Sequence, residues 1–314
     1  NKFEIYCLST CIDDKSKIRQ RIKNACDFFI DVSKESDLEI AKLIETLSIN
    51  ILIDINGHTK GSRLEIFSYL KNIPKIGFLG YPGTVGGDIN QYIVADSIVI
   101  PPKEKIFFSE KVIYMPNTYQ CTDRNTEISK EKITRLDCKL PRDGFIFCCF
   151  NQSYKITPKI FNTWIKLLKK IDGSVLWLMS TNKWAVNNLI RRASEKGISK
   201  NRIIFAKRLP HAQHLSRLKN ADLFLDTIPY NAHTTASDAL WAEVPILTLS
   251  GKSFASRVGS SILTAIGLTE LIAPSIKEYE SIALNLAKSP DKLSSLKQKL
   301  KKNIATKPLF NTRL

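Results

Sequence analysis

Several things are missing from this chain, and each absence narrows the field. No stretch approaches the ~20 consecutive apolar residues of a membrane-spanning helix, so the expectation is a soluble protein with no membrane partner. The seven cysteines include no Cys-x-x-Cys pair, which argues against a zinc site. They read instead as reduced thiols of a cytoplasmic protein, with Cys148 and Cys149 buried in an apolar run. Internal repeats and low-complexity tracts are also absent. The chain opens on Asn1 rather than Met and enters a strand-like run at once, the pattern of a trimmed polypeptide.

Positive charge is plentiful: 47 Lys and Arg stand against 30 Asp and Glu, a net of +17. Such an excess suits a nucleic-acid binder, a membrane-surface protein or a chain that handles phosphates. The lysines, however, are strewn along helical stretches (Lys15, Lys17, Lys166, Lys169, Lys170 and the 297–302 run) and not interleaved with aromatics. Solvated helix faces account for them better than a nucleic-acid partner does.

At 314 residues, 43% of them apolar, the chain is long enough for two domains with cores of their own. Apolar runs at 3–8, 51–55, 75–79, 91–94 and 111–115 read as strands. Helices are expected at 15–29, 37–47 and 64–70, the second with Leu38, Ala41, Leu43 and Ile44 on its apolar face. The second half repeats the alternation, with strands at 145–150, 174–179, 202–205, 222–225, 246–249 and 270–273. Its helices fall at 158–171, 184–196, 211–220, 235–243, 253–266, 276–288 and 290–304. Strand–helix alternation predicts an α/β fold with parallel, doubly wound sheets, whose ligands gather at the carboxyl ends of the strands. The polar stretch 121–142 reads as the connection, giving domains 1–140 and 141–314.

The most informative stretch runs from Leu225 to Trp241. An apolar run ends in Asp226-Thr227, a short loop with Pro229 and Asn231 follows, and Thr234-Thr235 open a helical run. A helix start offers unpaired N–H groups and a positive dipole end, which suit a phosphate. His233, Thr234 and Thr235 would add side-chain donors there, although an ordinary Thr-capped turn reads the same way.

That stretch, His-Thr-Thr-Ala-Ser-Asp-Ala-Leu-Trp-Ala at 233–242, resembles the donor-site motif of the protein O-GlcNAc transferases and Spindly-like proteins, glycosyltransferase family 41. Four further blocks match in order: Asn-Gly-His-Thr-Lys-Gly-Ser-Arg at 56–63, Leu-Gly-Tyr-Pro-Gly-Thr at 79–84, Phe-Asn-Gln-Ser-Tyr-Lys-Ile at 150–156 and Phe-Ala-Ser-Arg-Val at 254–258. The resemblance implies a GT-B arrangement, two Rossmann-like domains facing a cleft. It further implies an inverting enzyme that moves a sugar, GlcNAc in most relatives, from a UDP-sugar to Ser or Thr hydroxyls of acceptor proteins. No Asp-x-Asp triplet lies in the matching blocks, so no metal is implied and cationic side chains must neutralise the leaving diphosphate.

By resemblance, Lys155 and His233 are the catalytic groups. Gln152 and Lys155 meet the diphosphate, and His233, Thr234 and Thr235 complete its cradle. His214 stacks on uracil, Leu209 reads the base edge through its backbone, Arg217 contacts the base and Asp238 accepts the ribose hydroxyls. Leu79, Gly80 and Pro82 line the sugar pocket with Tyr154 and Tyr230. Tyr230 stands where animal relatives carry cysteine, His211 where many carry lysine, and His58 is open between a sugar contact and a structural loop residue. A histidine-containing loop and first strand of the family's N-terminal domain lie before this chain's first residue, so the first sheet is expected to be incomplete at one edge. Two alternatives follow: a GDP-fucose protein O-fucosyltransferase, and a UDP-sugar-binding module without turnover.

Overall fold

The computed structural model describes residues 2–311; residue 1 and residues 312–314, the extreme ends of the two expected domains, lie outside it. The chain divides into two compact units, the first built from residues up to Val94 with Lys103–Ile113, the second from Ala95–Pro102 with everything after Tyr114.

In the first unit, β1 (Tyr6–Ser9), α1 (Lys17–Ala25) and β2 (Phe28–Asp31) are followed by α2 (Asp37–Thr46), β3 (Leu52–Asp54), α3 (Glu65–Tyr69), β4 (Lys75–Gly77), β5 (Tyr92–Ala95) and β6 (Lys111–Tyr114). Strands β1 and β2 form a parallel pair, and β3-β4-β5-β6 a separate four-stranded sheet. The helix expected over 15–29 is therefore two elements. Ser16 caps α1 by accepting from Arg19 N, but no α1 residue is buried, so packing does not extend the helix. Phe28 and Phe29 favour an extended chain, and Phe28 stacks on Tyr6 across the pair at 4.5 Å. Helix α2 starts at a Ser36–Glu39 capping box. It buries Ile40, Ala41 and Ile44 against Val32, Ile66, Phe67 and Leu70, while Leu38, expected on that face, is exposed.

The second unit runs β7 (Ile146–Cys149), α4 (Pro158–Lys170), β8 (Val175–Met179), α5 (Lys183–Glu195), β9 (Ile203–Ala206), α6 (His211–Leu218), β10 (Leu223–Leu225), α7 (Thr234–Trp241), β11 (Ile246–Leu249), α8 (Val258–Ala265), β12 (Ile272–Ala273), α9 (Ile276–Lys288) and α10 (Pro290–Thr306). Its sheet has the order β12-β11-β10-β7-β8-β9, and every pair is parallel. Helices cover both faces, so β7 reads as the unbroken apolar run Ile-Phe-Cys-Cys, buried throughout. Burial pushes the Cys148 and Cys149 thiols well up, in keeping with inert core cysteines. The helix expected over 253–266 is interrupted at Arg257: a 3-10 turn, Phe254–Ser256, precedes α8. The reason is local, since Ser253 and Ser256 cap each other and the Ala255 carbonyl is drawn off by Asn231 N at 3.0 Å.

Residues 121–140 strap onto the second unit. Ser129 N donates to Ala212 O (3.0 Å), Ser216 Oγ to Glu131 O (2.7 Å) and Trp241 Nε1 to Thr126 O (3.0 Å). Among the described residues, no helix is long and apolar enough to cross a membrane.

Candidate active site

The strand order of the second unit reverses between β7 and β10, and a doubly wound sheet opens a crevice at that point, beyond the strands' carboxyl ends. The loops leaving those two strands are 150–157 and 226–233, the two blocks richest in candidate residues.

Asp226, fully buried, holds the second loop in shape. Its Oδ1 accepts from Ala232 N (2.6 Å) and Thr227 N (2.7 Å), and its Oδ2 from Thr248 Oγ1 (2.6 Å). Burial pushes the carboxyl up to about 6, against the pull of these hydrogen bonds and of Lys155. Asn151 ties the two loops together: its Nδ2 donates to Thr227 Oγ1 (2.7 Å), and its Oδ1 accepts from the Thr235 hydroxyl. Asn231 donates through Nδ2 to Thr227 O (2.9 Å) and accepts from Gly259 N (3.3 Å). Sequence reasoning did not single out Asp226 or Asn151. The available signal was an acid placed immediately after a fully apolar strand, where burial is unavoidable and only nearby N–H groups can compensate it.

Over this frame lies the cationic group. Lys155 ends a 3-10 turn (Ser153–Lys155), and Thr157 caps α4 just beyond it. Its Nζ donates to Asn231 O (2.9 Å) and sits 3.9 Å from the centre of the Tyr230 ring. Tyr230 in turn stacks on His233, with centroids 5.0 Å apart and planes 24° off parallel. Desolvation pushes Lys155 down to about 8. Burial, then Lys155, push His233 down to about 3, so its imidazole is neutral at physiological pH. His233 precedes α7 without capping it through its side chain. The first turn of α7 thus has no side-chain cap, while Thr234 is exposed and Thr235 is engaged by Asn151.

A second cluster forms on α6. Arg217 Nε donates to His214 Nδ1 at 3.1 Å, and both pack on Phe150. Burial, then the adjacent guanidinium, push His214 down to about 4. Arg217 Nη2 is buried without a hydrogen-bond partner among the described residues. At the start of the same helix, His211 Nε2 lies 3.0 Å from Asp238 Oδ1 on α7, and that hydrogen bond raises the imidazole pKa. Leu209, Gln152 and Tyr154 are exposed on the loops after β9 and β7.

In the first unit, Asp54 at the end of β3 accepts from Asn56 N (2.9 Å) and Gly57 N (3.0 Å), shaping the loop that carries His58. His58 Nε2 lies 2.9 Å from Val85 O, and its ring meets Tyr81 edge-on. Leu79 has φ +72°, Pro82 is buried, and Gly80 packs so tightly that a Cβ would fall 2.0 Å from Ile55 O. The loops after β3 and β4 are thus locked to each other by close backbone approach.

A doubly wound unit with a half-buried lysine at its switch point, in one chain with a second parallel-sheet unit, is the framework of a GT-B glycosyltransferase. Comparison with known proteins makes the assignment specific. The profile of Glycosyl transferase family 41 matches residues 1–132 and 126–314, and the chain belongs to that family. It is 38% identical, over 98% of its length, to a probable UDP-N-acetylglucosamine–peptide N-acetylglucosaminyltransferase, SEC, of Arabidopsis thaliana, covering 32% of that protein. It is 26% identical over its whole length to the UDP-N-acetylglucosamine–peptide N-acetylglucosaminyltransferase of Caenorhabditis elegans, covering 37% of it. A crystallised variant of the Thermobaculum terrenum O-GlcNAc transferase superposes with a TM-score of 0.89 at 27% identity, over 98% of this chain and 58% of the other. The chain spans about a third of the length of these curated relatives.

Proposed function

We propose that this polypeptide is the catalytic portion of a protein O-GlcNAc transferase, moving GlcNAc from UDP-GlcNAc to Ser or Thr hydroxyls of acceptor proteins. In a single inverting displacement, the acceptor hydroxyl gives up its proton to solvent water as its oxygen bonds to the anomeric carbon. The bond to the β-phosphate oxygen breaks, and UDP departs with that electron pair. Lys155 and the uncapped start of α7 neutralise the departing charge, and neutral His233, whose Nε2 donates to Ala255 O at 3.4 Å, stacks on Tyr230 beside them.

The observation that carries this reading is Lys155, an ammonium held at the switch point between Asn231 O and the Tyr230 ring with no carboxylate of the described residues bonded to it directly. A cation poised in this way gains an ionic partner when a diphosphate arrives. On the same reading His214, Arg217 and the backbone at Leu209 hold uracil, Asp238 takes the ribose, and Gln152 and Thr234 meet the diphosphate. Tyr154 and Tyr230 border the sugar. The buried Arg217 Nη2 supports the base assignment, since a carbonyl of the base would satisfy it. Seven cysteines without a disulfide suit a cytoplasmic setting.

Calorimetry with UDP and GDP tests the assignment. UDP is expected to bind and GDP to bind far more weakly, and Lys155→Ala should weaken UDP by about 10²-fold, the size of a lost charge-assisted contact. Preference for GDP would move the chain to the fucosyltransferase reading. Unaltered UDP affinity in Lys155→Ala would remove the lysine from the site.

A further inference from the structure

The thiols of the first unit differ from the enclosed pair in β7. Cys11 is exposed, Cys7 and Cys26 are half-buried, and the last two touch. Cys7 lies within β1, and α1 ends on Cys26, just ahead of β2. Leu8 packs on the core formed with α2, and the alternation of a strand turns its neighbour Cys7 to the opposite face. That is the face α1 spans: Phe29, the register partner of Cys7, lies under the Arg19 guanidinium of α1, 5.1 Å from the ring centre. There the Cys7 and Cys26 side chains share a hydrogen bond. Cys148 and Cys149 offer no such meeting, since adjacent residues of a strand face opposite ways and both are fully buried.

Two further features bear on what this pair can do. Arg19 Nη1 donates to Ser9 Oγ at 2.8 Å and to Cys11 O at 3.3 Å, which sets a cation near the Cys7 sulfur. Burial, then Cys26, push the Cys7 thiol up, and Arg19 pulls it back. Cys7 therefore suits an intramolecular step, where proximity offsets a small thiolate fraction. The other feature is the looseness of α1. None of its residues is buried, and its ties are polar ones, Arg19 to Asp13 at 3.1 Å and to Asp31 at 2.8 Å. A disulfide demands Cβ atoms about 4 Å apart and a narrow dihedral range. A helix end without a packed core behind it can shift to meet that demand.

From this contact we infer that Cys7 and Cys26 are a reversible redox pair, which a low-molecular-weight disulfide of the glutathione class closes into a disulfide that clasps the end of α1 to β1. The Cys26 thiolate attacks one sulfur of the small disulfide, forms a mixed disulfide and expels one small thiolate. The Cys7 thiolate then attacks Cys26 Sγ, the mixed S–S bond breaks, and the second small thiolate leaves. Two protein thiols are oxidised, one small disulfide is reduced, and the protons of Cys7 and Cys26 pass to the two small thiols formed. Excess small thiol reverses both steps. The closed form spans α1 from end to end, so it restricts local opening of a helix that packing leaves free. The pair lies wholly within the first unit and does not rest on the donor-site reading.

Trypsin reads the clasp directly, because Lys15, Lys17, Arg19, Arg21 and Lys23 all lie between the two cysteines. The whole chain is equilibrated with oxidised glutathione or with dithiothreitol. A non-reducing peptide map then locates the linkages, and the initial rate of cleavage within 15–23 is compared between the two states. The oxidised protein should yield a Cys7–Cys26 linked peptide pair, assigned by fragmentation. It should be cut within α1 at least about tenfold more slowly, part of the ~10²-fold that closing a loop of this size can supply. Dithiothreitol should reverse both effects. Cys7→Ser should stop at a glutathione adduct on Cys26, the trapped product of the first step, and gain no protection, whereas Cys11→Ser should behave as wild type. The wild-type protein is compared with itself in two redox states, so the result stands whether or not a variant folds. A link through Cys11, or glutathione adducts without a Cys7–Cys26 link, overturns the pair. A Cys7–Cys26 link with unaltered cleavage overturns the clasp.

Discussion

Lys155 carries its charge against its surroundings. Burial lowers its pKa from 10.5 to about 8, and Asp226 offsets only part of that. The sign for stability follows from a base whose folded pKa is depressed. Below pH 8 the buried ammonium costs the fold free energy, and the cost is relieved as pH rises from about 8 towards the unfolded value. On the proposed function the dependence runs the other way, because a diphosphate would need the charged form. UDP affinity is therefore expected to fall as pH rises through about 8, two units before an ordinary lysine would respond, while Lys155→Arg flattens the profile. A wild-type affinity constant from pH 7 to 10, measured by calorimetry, would contradict this account. Lys155 could be named from its motif, yet its partner Tyr230 ring and the neutral state of His233 could not. Both depend on how far the 226–233 loop folds back over the lysine.

At the scale of elements, two loops and a helix start are held by one buried acid. Asp226, Thr248 and Gly259 meet where β10, β11 and α8 converge, and a Cβ on Gly259 would fall 2.4 Å from Thr248 Oγ1 and 2.7 Å from Asp226 Oδ2. Gly259→Ala should destabilise the protein by about 1–3 kcal/mol, the usual cost of overpacking, and weaken UDP binding because the Asp226-held loop must move. Thermal melts and calorimetry read the two effects. A variant with unaltered melting temperature would mean that the contact relaxes freely. The strands and most helices of this unit were legible from apolar runs and cap residues, since parallel-sheet strands are short and apolar throughout. Misreadings fell where tertiary contacts outvote local pattern: β2, absorbed into a helix until its pairing with β1 is seen, and the break at Arg257, caused by Asn231 claiming the Ala255 carbonyl.

For the molecule as a whole, the +17 charge is mostly dispersed. Several lysines are paired on helix faces, among them Lys166 with Glu280, Lys297 with Asp222 and Lys299 with Glu270. Dispersed charge gives diffuse attraction to polyanions without a site. Binding to random duplex DNA should consequently collapse between about 50 and 200 mM salt, whereas UDP binding at a partly desolvated lysine should change much less. Equal salt dependence of the two, in parallel titrations, would place the nucleotide on the general charged surface.

The sequence by itself determined the α/β class, the five ordered motif blocks and hence the family, because hydrophobic period and loop chemistry are local properties of the chain. It also made the stretch after β10 the candidate place for a phosphate, a reading the proposed function adopts. Tertiary structure alone decided the strand order β12-β11-β10-β7-β8-β9, which brings loops some 76 residues apart to one switch point, as in the Lys155–Asn231 contact. It also decided that Asp226 is a buried staple and that the thiols of Cys7 and Cys26 meet. Each of these rests on which strands become neighbours, and pairing between distant strands is set by burial of the whole sheet, which no short window of residues can express.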